Sequence, residues 1–328
     1  QAHPRRVDAR RGFSWENRRG IPLDADCRNY RDSHEKPECL CALTRFWGVN
    51  GFRPVGAIAA GMRRVCPVGL AREIRLLEKR PDSKGLAAFF STLMTLEGSR
   101  KKQVLREAVG AAAESSVEDP AFDWMIRLHE EYPEDIGIFS PVVLNLFCLE
   151  PGQAMFLGQG ELHAYLGGVG IELMANSDNV LRGGLTPKHV DVTELMRILS
   201  FKEKAVDILL PRDLEQHAGV YRTPAREFEL SVITLDSGDT YEGQIDRGVE
   251  ILLCTSGEHR IAESGSMHPL VLDKGVSVLI PAAVPGYTIQ GKGVIYRAAV
   301  PIERSSSGVD KITRRPKKNE HRTPNIEC

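Results

Sequence analysis

Residues 140–175 read SPVVLNLFCLEPGQAMFLGQGELHAYLGGVGIELMA. Short apolar runs alternate with Pro-Gly, Gly-x-Gly and Gly-Gly breaks, which is the pattern of strands joined by tight turns. One histidine, His163, stands inside such a run, in GELHAYLGG (160–168). A lone histidine in a strand is ordinarily a satisfied structural residue, so its meaning depends on what else can reach it. A polar string follows at once, MANSDNVLRGGLTPKH (174–189).

Outward from this segment the period changes. Downstream, VTELMRILSF (192–201) predicts a short helix. From about Phe228 to Val300 strands return, in FELSVITLDSGDTYEG, GVEILLCTSGEHRIA and HPLVLDKGVSVLIPAAVPGYTIQGKGVIYRAAV. Their spacing and turn chemistry predict antiparallel double-sheet barrels. Upstream, residues 67–139 carry apolar residues every three or four positions, as in GLAREIRLLEK, KGLAAFFSTLMTL, RKKQVLREAVGAAAESS and PAFDWMIRLHEEYP. That is a block of amphipathic helices, with Asp119 as a cap and Pro120 in a first turn. Residues 1–66 read as mixed and turn-rich, and the charged stretch from Ser305 as disordered. No internal repeat is evident.

The chain is 42% apolar and 27% charged with a net charge of −1. Those values suit a globular protein and give no electrostatic reason to bind nucleic acid or an anionic membrane. No apolar run is long enough to span a bilayer, and no secretory pattern opens the chain. Seven scattered cysteines without a CxxC pair predict reduced thiols and a cytoplasmic setting.

Two further stretches bear on His163. The chain opens QAHP, where Gln1 and His3 would share one face of a strand and could present two donors to one metal. In HEKPECLCALT, Pro37 biases Lys36 toward an extended backbone, and Glu38 enters a half-apolar run that could point it into a barrel. Each alone reads as an ordinary polar residue.

Together, QAHP, RNYRD, KPE, ALT, GFRP, HAYL and ELMANSDNVLRGGLTPK resemble, in order, the type I phosphomannose isomerase family, zinc enzymes of the cupin superfamily. The likeness runs from Gln1 to about Phe201 and continues more weakly to about Pro301. It implies a mainly β fold with a helical insertion, built on cupin (double-stranded β-helix, jelly-roll) barrels. The scheme is a catalytic barrel from 1–66 with 140–206, an insertion at 67–139, a second cupin-like barrel at 207–303 and a loose tail at 304–328. It implies one Zn²⁺ per chain, held by Gln1, His3, Glu38 and His163. Two imidazoles, a carboxylate and an amide carry a net charge of −1, so the dication stays partly uncompensated, as catalytic zinc requires.

The implied reaction interconverts mannose 6-phosphate and fructose 6-phosphate, by moving a proton from C2 to C1 through an enediolate. Arg182 matches the family's active-site arginine. Tyr165 should share the face of His163, and Glu172 lies on the next strand. Asp178, Lys188 and Lys36 complete the polar set. Glu172, Asp178 or a water on the metal would carry the proton, and Lys36 and Lys188 would orient polar groups of the substrate. Asp178 with Asn179 can equally form a turn, and Lys188 can be a solvent-facing charge.

Some positions depart from the pattern. His34 and Glu35 stand where the family has Asn-His, and Arg45 and Trp47 replace a usual proline and acidic residue. The chain starts on its first ligand, so missing strands, an open sheet edge and a floppy Gln1 are expected. The second reading is therefore a truncated, non-catalytic zinc- or sugar-binding cupin module. A small sugar phosphate is the expected partner, with a monomeric chain. His259 and His268 are expected to be isolated surface residues.

Overall fold

The computed structural model describes residues 1–115, 119–266 and 268–301. The expectation of a disordered tail falls on 302–328, outside the described residues. The chain divides into two compact units, Gln1–Val232 and Ile233–Cys328.

The first unit begins with a helix that the sequence pattern did not announce, α1 (Arg6–Arg18). Its buried face is Asp8, Ala9, Gly12 and Glu16, so there is no apolar stripe for periodicity to detect. Polar contacts anchor it instead. The Glu16 carboxylate accepts from the backbone N–H of Asn29 and of Tyr30, and Asp8 takes Arg197 at 3.1 Å. Gly12 is required because the Tyr30 ring lies 2.2 Å from where a Cβ would stand.

Strands β1 (Glu38–Ala42) and β2 (Phe46–Phe52) follow, then α2 (Val55–Val65), also within the stretch expected to be turn-rich. Helices α3 (Ala71–Lys79), α4 (Ser83–Met94), α5 (Gly98–Ser115) and α6 (Pro120–Glu131) form the expected insertion. Asp82 caps α4 by accepting from Lys84 and Gly85 N–H, and Asp119 caps α6 ahead of Pro120. The buried faces of α2 to α6, including Ile58, Met62, Phe89, Leu105, Phe122 and Met125, share one core. Each such side chain contributes about 1.5–3 kcal/mol by leaving water.

A 3-10 turn (Ile136–Phe139) and the one-turn α7 (Ser140–Val143) lead into β3 (Leu144–Leu149), β4 (Ala154–Leu157), β5 (His163–Gly167) and β6 (Gly170–Met174). The quoted segment is thus four strands, as its turns predict, except that SPVV, read as the start of a strand, is a single helical turn. They form two antiparallel three-stranded sheets, ordered β4-β1-β6 and β3-β2-β5. Leu40, Phe46, Phe147, Met155 and Leu157 from both sheets share an apolar cluster. The register sets Leu40 opposite Glu172 and Glu38 opposite Met174 in one sheet, and Asn50 opposite His163 in the other. Residues two apart on each strand therefore present Glu38, Glu172, His163 and Tyr165 toward the space between the sheets. After α8 (Val192–Ile198), β7 (Arg212–Glu215) pairs with β8 (Ala218–Tyr221).

Strand β9 (Glu229–Leu235) crosses the division between the units. The second unit adds β10 (Thr240–Glu242), β11 (Glu250–Glu263), β12 (Leu270–Asp273), β13 (Ser277–Ile280) and β14 (Tyr287–Ala299). The long pair β11–β14 carries β12 and β13 on β11 and β10 on β14. His268 is exposed, but His259 is not a surface residue: it is 1% exposed, its Nδ1 lying 3.5 Å from Cys254 Sγ. After the register shift between Cys254 and Ser256, His259 shares the inward parity of Ile261 while Glu258 and Arg260 face out.

Among the described residues no disulfide forms. No helix among them is long and apolar enough to cross a membrane.

Candidate metal centre and active site

Four expected donors meet. His3, Glu38 and His163 are 0–1% exposed, and one ligand atom from each lies within 4.8 Å of the other two. His3 Nε2 stands 3.0 Å from Glu38 Oε1, and His163 Nε2 stands 3.3 Å from Glu38 Oε2. The Gln1 amide nitrogen is 3.1 Å from His163 Nε2. A half-turn of that amide puts its oxygen in the same place.

Gln1 is held, not floppy. Its N–H donates to His163 O at 3.0 Å and its carbonyl accepts from His163 N–H at 2.9 Å. Ala2 and Leu181 exchange two more backbone bonds, of 2.8 and 3.0 Å. The QAHP segment thus lies extended between the start of β5 and Leu181, and Gln1 and His3 reach the same cluster.

Each imidazole is fixed from behind. His3 Nδ1 faces the carbonyl of Asn179 at 2.8 Å, and His163 Nδ1 faces that of Glu161 at 3.1 Å. A carbonyl only accepts, so each Nδ1 carries the proton and each Nε2 lone pair points to the centre. Burial lowers the His163 pKa, against the opposing influence of the Glu38 carboxylate beside it.

The residues fit zinc. Tetrahedral bonds of about 2.0–2.1 Å set donors about 3.3 Å apart, close to the spacing here. His3 Nε2 and Glu38 Oε2 lie at ion-pairing distance from partners, yet neither has a hydrogen bond of good geometry. Two neutral lone pairs converging on an anion are poorly satisfied by each other and well satisfied by a cation.

The remaining expected residues divide into two groups. Tyr165 O–H donates to Glu172 Oε1 at 2.7 Å, joining the two sheets beside the cluster. Burial, with the Glu172 and Glu38 charges, raises the phenol far above its ordinary value. Partial burial also raises the Glu172 carboxyl, although the Tyr165 bond opposes the shift. Lys36 Nζ lies 3.5 Å from Glu38 Oε1. Burial, and after it the charge of Arg182, lowers the pKa of the Gln1 amine; Arg182 itself is half-buried with no side-chain hydrogen bond or ion pair among the described residues. Asp178 and Lys188 are exposed. Asp178 uses its backbone N–H on Asp32, and Lys188 uses its own on Thr186 Oγ1.

The departures fall outside the cluster. Glu35 accepts from Gln159 Nε2 at 2.7 Å, Arg45 pairs with Glu150, and Trp47 lies against Trp124. Asn179 has a larger place than a turn residue. Wholly buried, its side chain accepts from Arg31 and Asp32 N–H and donates to the carbonyls of Asp32 and His34. Asp32, not singled out from sequence, accepts from Ser177 Oγ and Asp178 N–H in return. These bonds stitch the arm leading to Lys36–Glu38 onto the segment that receives His3. An Asp before KPE and an Asn in SDN were visible, but their pairing across 147 positions was not.

Residues 69–144 match the family described as "Phosphomannose isomerase type I, helical insertion domain". A mannose-6-phosphate isomerase from Escherichia coli (strain K12) is 37% identical over 298 residues, covering 90% of this chain and 74% of that protein. The chain belongs to the type I phosphomannose isomerase family. The human mannose-6-phosphate isomerase is 32% identical over 274 residues, covering 78% of this chain and 65% of that one. Among solved structures, a mutant phosphomannose isomerase from Salmonella typhimurium matches with a TM-score of 0.85 at 33% identity, over 92% of this chain and 75% of that one. A mannose 6-phosphate isomerase bound with zinc and yttrium matches with a TM-score of 0.84 at 34% identity, over 92% and 75%. The cupin architecture inferred from the type I signature is thereby that of the family.

Proposed function

We propose that this phosphomannose isomerase interconverts D-mannose 6-phosphate and D-fructose 6-phosphate at the His3–Glu38–His163 cluster, with zinc held by these residues and Gln1. The convergence of three buried ligand atoms within 4.8 Å, backed by two carbonyl-tethered imidazoles, carries the reading. Bound zinc supplies a Lewis acid that draws electron density from the substrate oxygens.

The chain's own groups do the rest. Glu172 takes the proton from C2, whose C–H electron pair becomes the enediolate double bond, and returns a proton to C1. One proton also passes from O2 to O1, so the sugar is isomerised with no net gain or loss. Glu172 is preferred to Asp178 because, though both are exposed, its carboxylate is tied to Tyr165 beside the cluster, whereas the Asp178 carboxyl makes no hydrogen bond among the described residues. Its raised pKa brings the base nearer to neutrality, where proton abstraction is more effective. Tyr165 holds the Glu172 carboxyl in orientation. Arg182, whose guanidinium is not committed elsewhere, offsets charge on the enediolate oxygens. Lys36 orients a substrate oxygen beside Glu38, and Lys188, on the loop after Arg182, supplies positive charge for the phosphate end.

The barrel and insertion boundaries given above (1–66 with 140–206, 67–139, 207–303, 304–328), a monomeric state, a cytoplasmic setting and the absence of nucleic-acid partners belong to the same proposal. A non-catalytic cupin module is the weaker reading, because the base, arginine and donors are retained together. The test is fructose 6-phosphate formation by the purified chain with and without a chelator, alongside zinc stoichiometry. One equivalent of zinc with no turnover would reject catalysis by this chain.

A further inference from the structure

Arg182 has no side-chain tether among the described residues, so its position must come from its backbone. On one side, Leu181 exchanges two hydrogen bonds with Ala2. On the other, the strand-like path ends in Gly183-Gly184-Leu185-Thr186, and this segment rests on the end of the helical insertion. Asp135 grips both partners. Its Oδ1 accepts from Gly137 N–H at 2.7 Å, and its Oδ2 accepts a longer bond from Thr186 N–H at 3.4 Å.

The two backbones touch closely enough to require glycine on both sides. A Cβ on Gly137 would stand 2.8 Å from Leu185 Cγ and backbone nitrogen. A Cβ on Gly184, where φ is +108°, would stand 2.7 Å from Asp135 Oδ1. Leu185 itself holds φ at +52°, a conformation that branched side chains avoid. Its side chain lines a small apolar cavity with Phe90, Leu93, Ile136 and Phe139 of the insertion. A non-glycine residue kept in the left-handed region signals that the surroundings over-determine the loop.

We propose that Asp135 and Gly137, with Leu185 as the anchor on the loop side, are positioning residues for Arg182. The helical insertion then has a role in catalysis: it sets where the arginine's charge sits relative to the enediolate. This rests on the reading of Arg182 as the group that counters that charge. Asp135 touches no reacting atom and acts only through the loop.

The test is a double-mutant cycle with zinc affinity as a parallel readout. Asp135→Ala should lower kcat and kcat/KM together, roughly tenfold or more, because a small displacement of a transition-state contact is costly. KM and zinc affinity should stay near wild type. In an Arg182→Ala background the same change should have no further effect on kcat, since the group it positions is gone. A general loss of structure would multiply the two defects and would lower zinc affinity. Leu185→Gly is the second variant: it accepts the left-handed backbone, deletes the anchor and should show the same non-additivity. Wild-type kcat in Asp135→Ala and Leu185→Gly, or multiplicative losses in the double variants, would overturn the inference. Wild-type kcat in Arg182→Ala would instead remove the arginine from the reaction, and the positioning role with it.

Discussion

Glu38 and Glu250 are both buried carboxylates in β-strands, 1% and 3% exposed, and their neighbours differ in kind. Around Glu250 the partners are donors. Tyr287 O–H donates to Oε2 at 2.9 Å, and Arg247 and Arg297 lie 3.7 Å from its two oxygens. The guanidiniums are themselves occupied, Arg247 by the carbonyls of Gly248, Pro281 and Val284, and Arg297 by Tyr241. Around Glu38 the principal partners are imidazole Nε2 atoms whose protons lie on the far side of the ring. Glu250 has a phenol donor and two guanidinium counter-charges. Glu38 has one ammonium, Lys36 at 3.5 Å from Oε1, while its Oε2 faces a lone pair and has room for a second cation. The difference separates a structural site from a metal site better than burial or charge does.

The largest expected effect tests the Glu38 side of this contrast. Glu38→Ala should weaken zinc by more than the roughly 10–100-fold typical of changes outside the ligand set, and turnover should vanish with it. Calorimetric titration of zinc checks this, and near-native affinity would break the contrast. Next, Glu172→Gln keeps the hydrogen-bonding shape but removes the base. It should cost about 10²–10⁴ in kcat while zinc stays bound, as steady-state kinetics with metal analysis would show. Third, Glu250→Ala should leave two buried guanidiniums short of a counter-charge and destabilise the fold by about 3–5 kcal/mol in urea titration, with zinc affinity untouched. A zinc defect there would mean the two carboxylates are not independent.

The smallest effect is a shape rather than a loss. Glu172 works deprotonated, and its pKa is raised above the ordinary 4.5 by burial. Activity should therefore be full above the raised value and fall as pH drops through it, so the acid limb of kcat lies above 4.5. Zinc must be shown to stay bound across that range. A limb at or below the ordinary carboxylate value would exclude Glu172 as the base.

Much of this was legible in residue order. The strands of 140–175 and the helices from Ala71 to Glu131 follow from period, Gly/Pro turns and Asp caps, which are local properties. The metal donors needed the signature segments as well, because nothing local brings Gln1, Glu38 and His163 together. Helix α1 escaped because its inward face is carried by Asp8, Gly12 and Glu16, which bind backbone and ring edges rather than an apolar core. Helix α2 escaped because VGAIAAGMRRV is short and glycine-interrupted, though Ile58, Met62 and Val65 are fully buried. His259 was misplaced for the opposite reason: flanked by Glu258 and Arg260 it looks like surface, and the register shift between Cys254 and Ser256 that turns it inward leaves no mark in the sequence. Asn179 and Asp32 could be named but not joined, since their meeting is a product of tertiary folding.

The carbonyls of Asn179 and Glu161 that orient the two imidazoles belong to the main chain. Every amino acid brings the same oxygen, so the tautomer at the zinc site survives side-chain replacement at both positions wherever the local trace is kept. At Asn179 the side chain matters for another reason, since its four hydrogen bonds hold that trace in place. An alanine there would act on the imidazole only by way of the backbone, as an insertion, a deletion or a shift in strand register would.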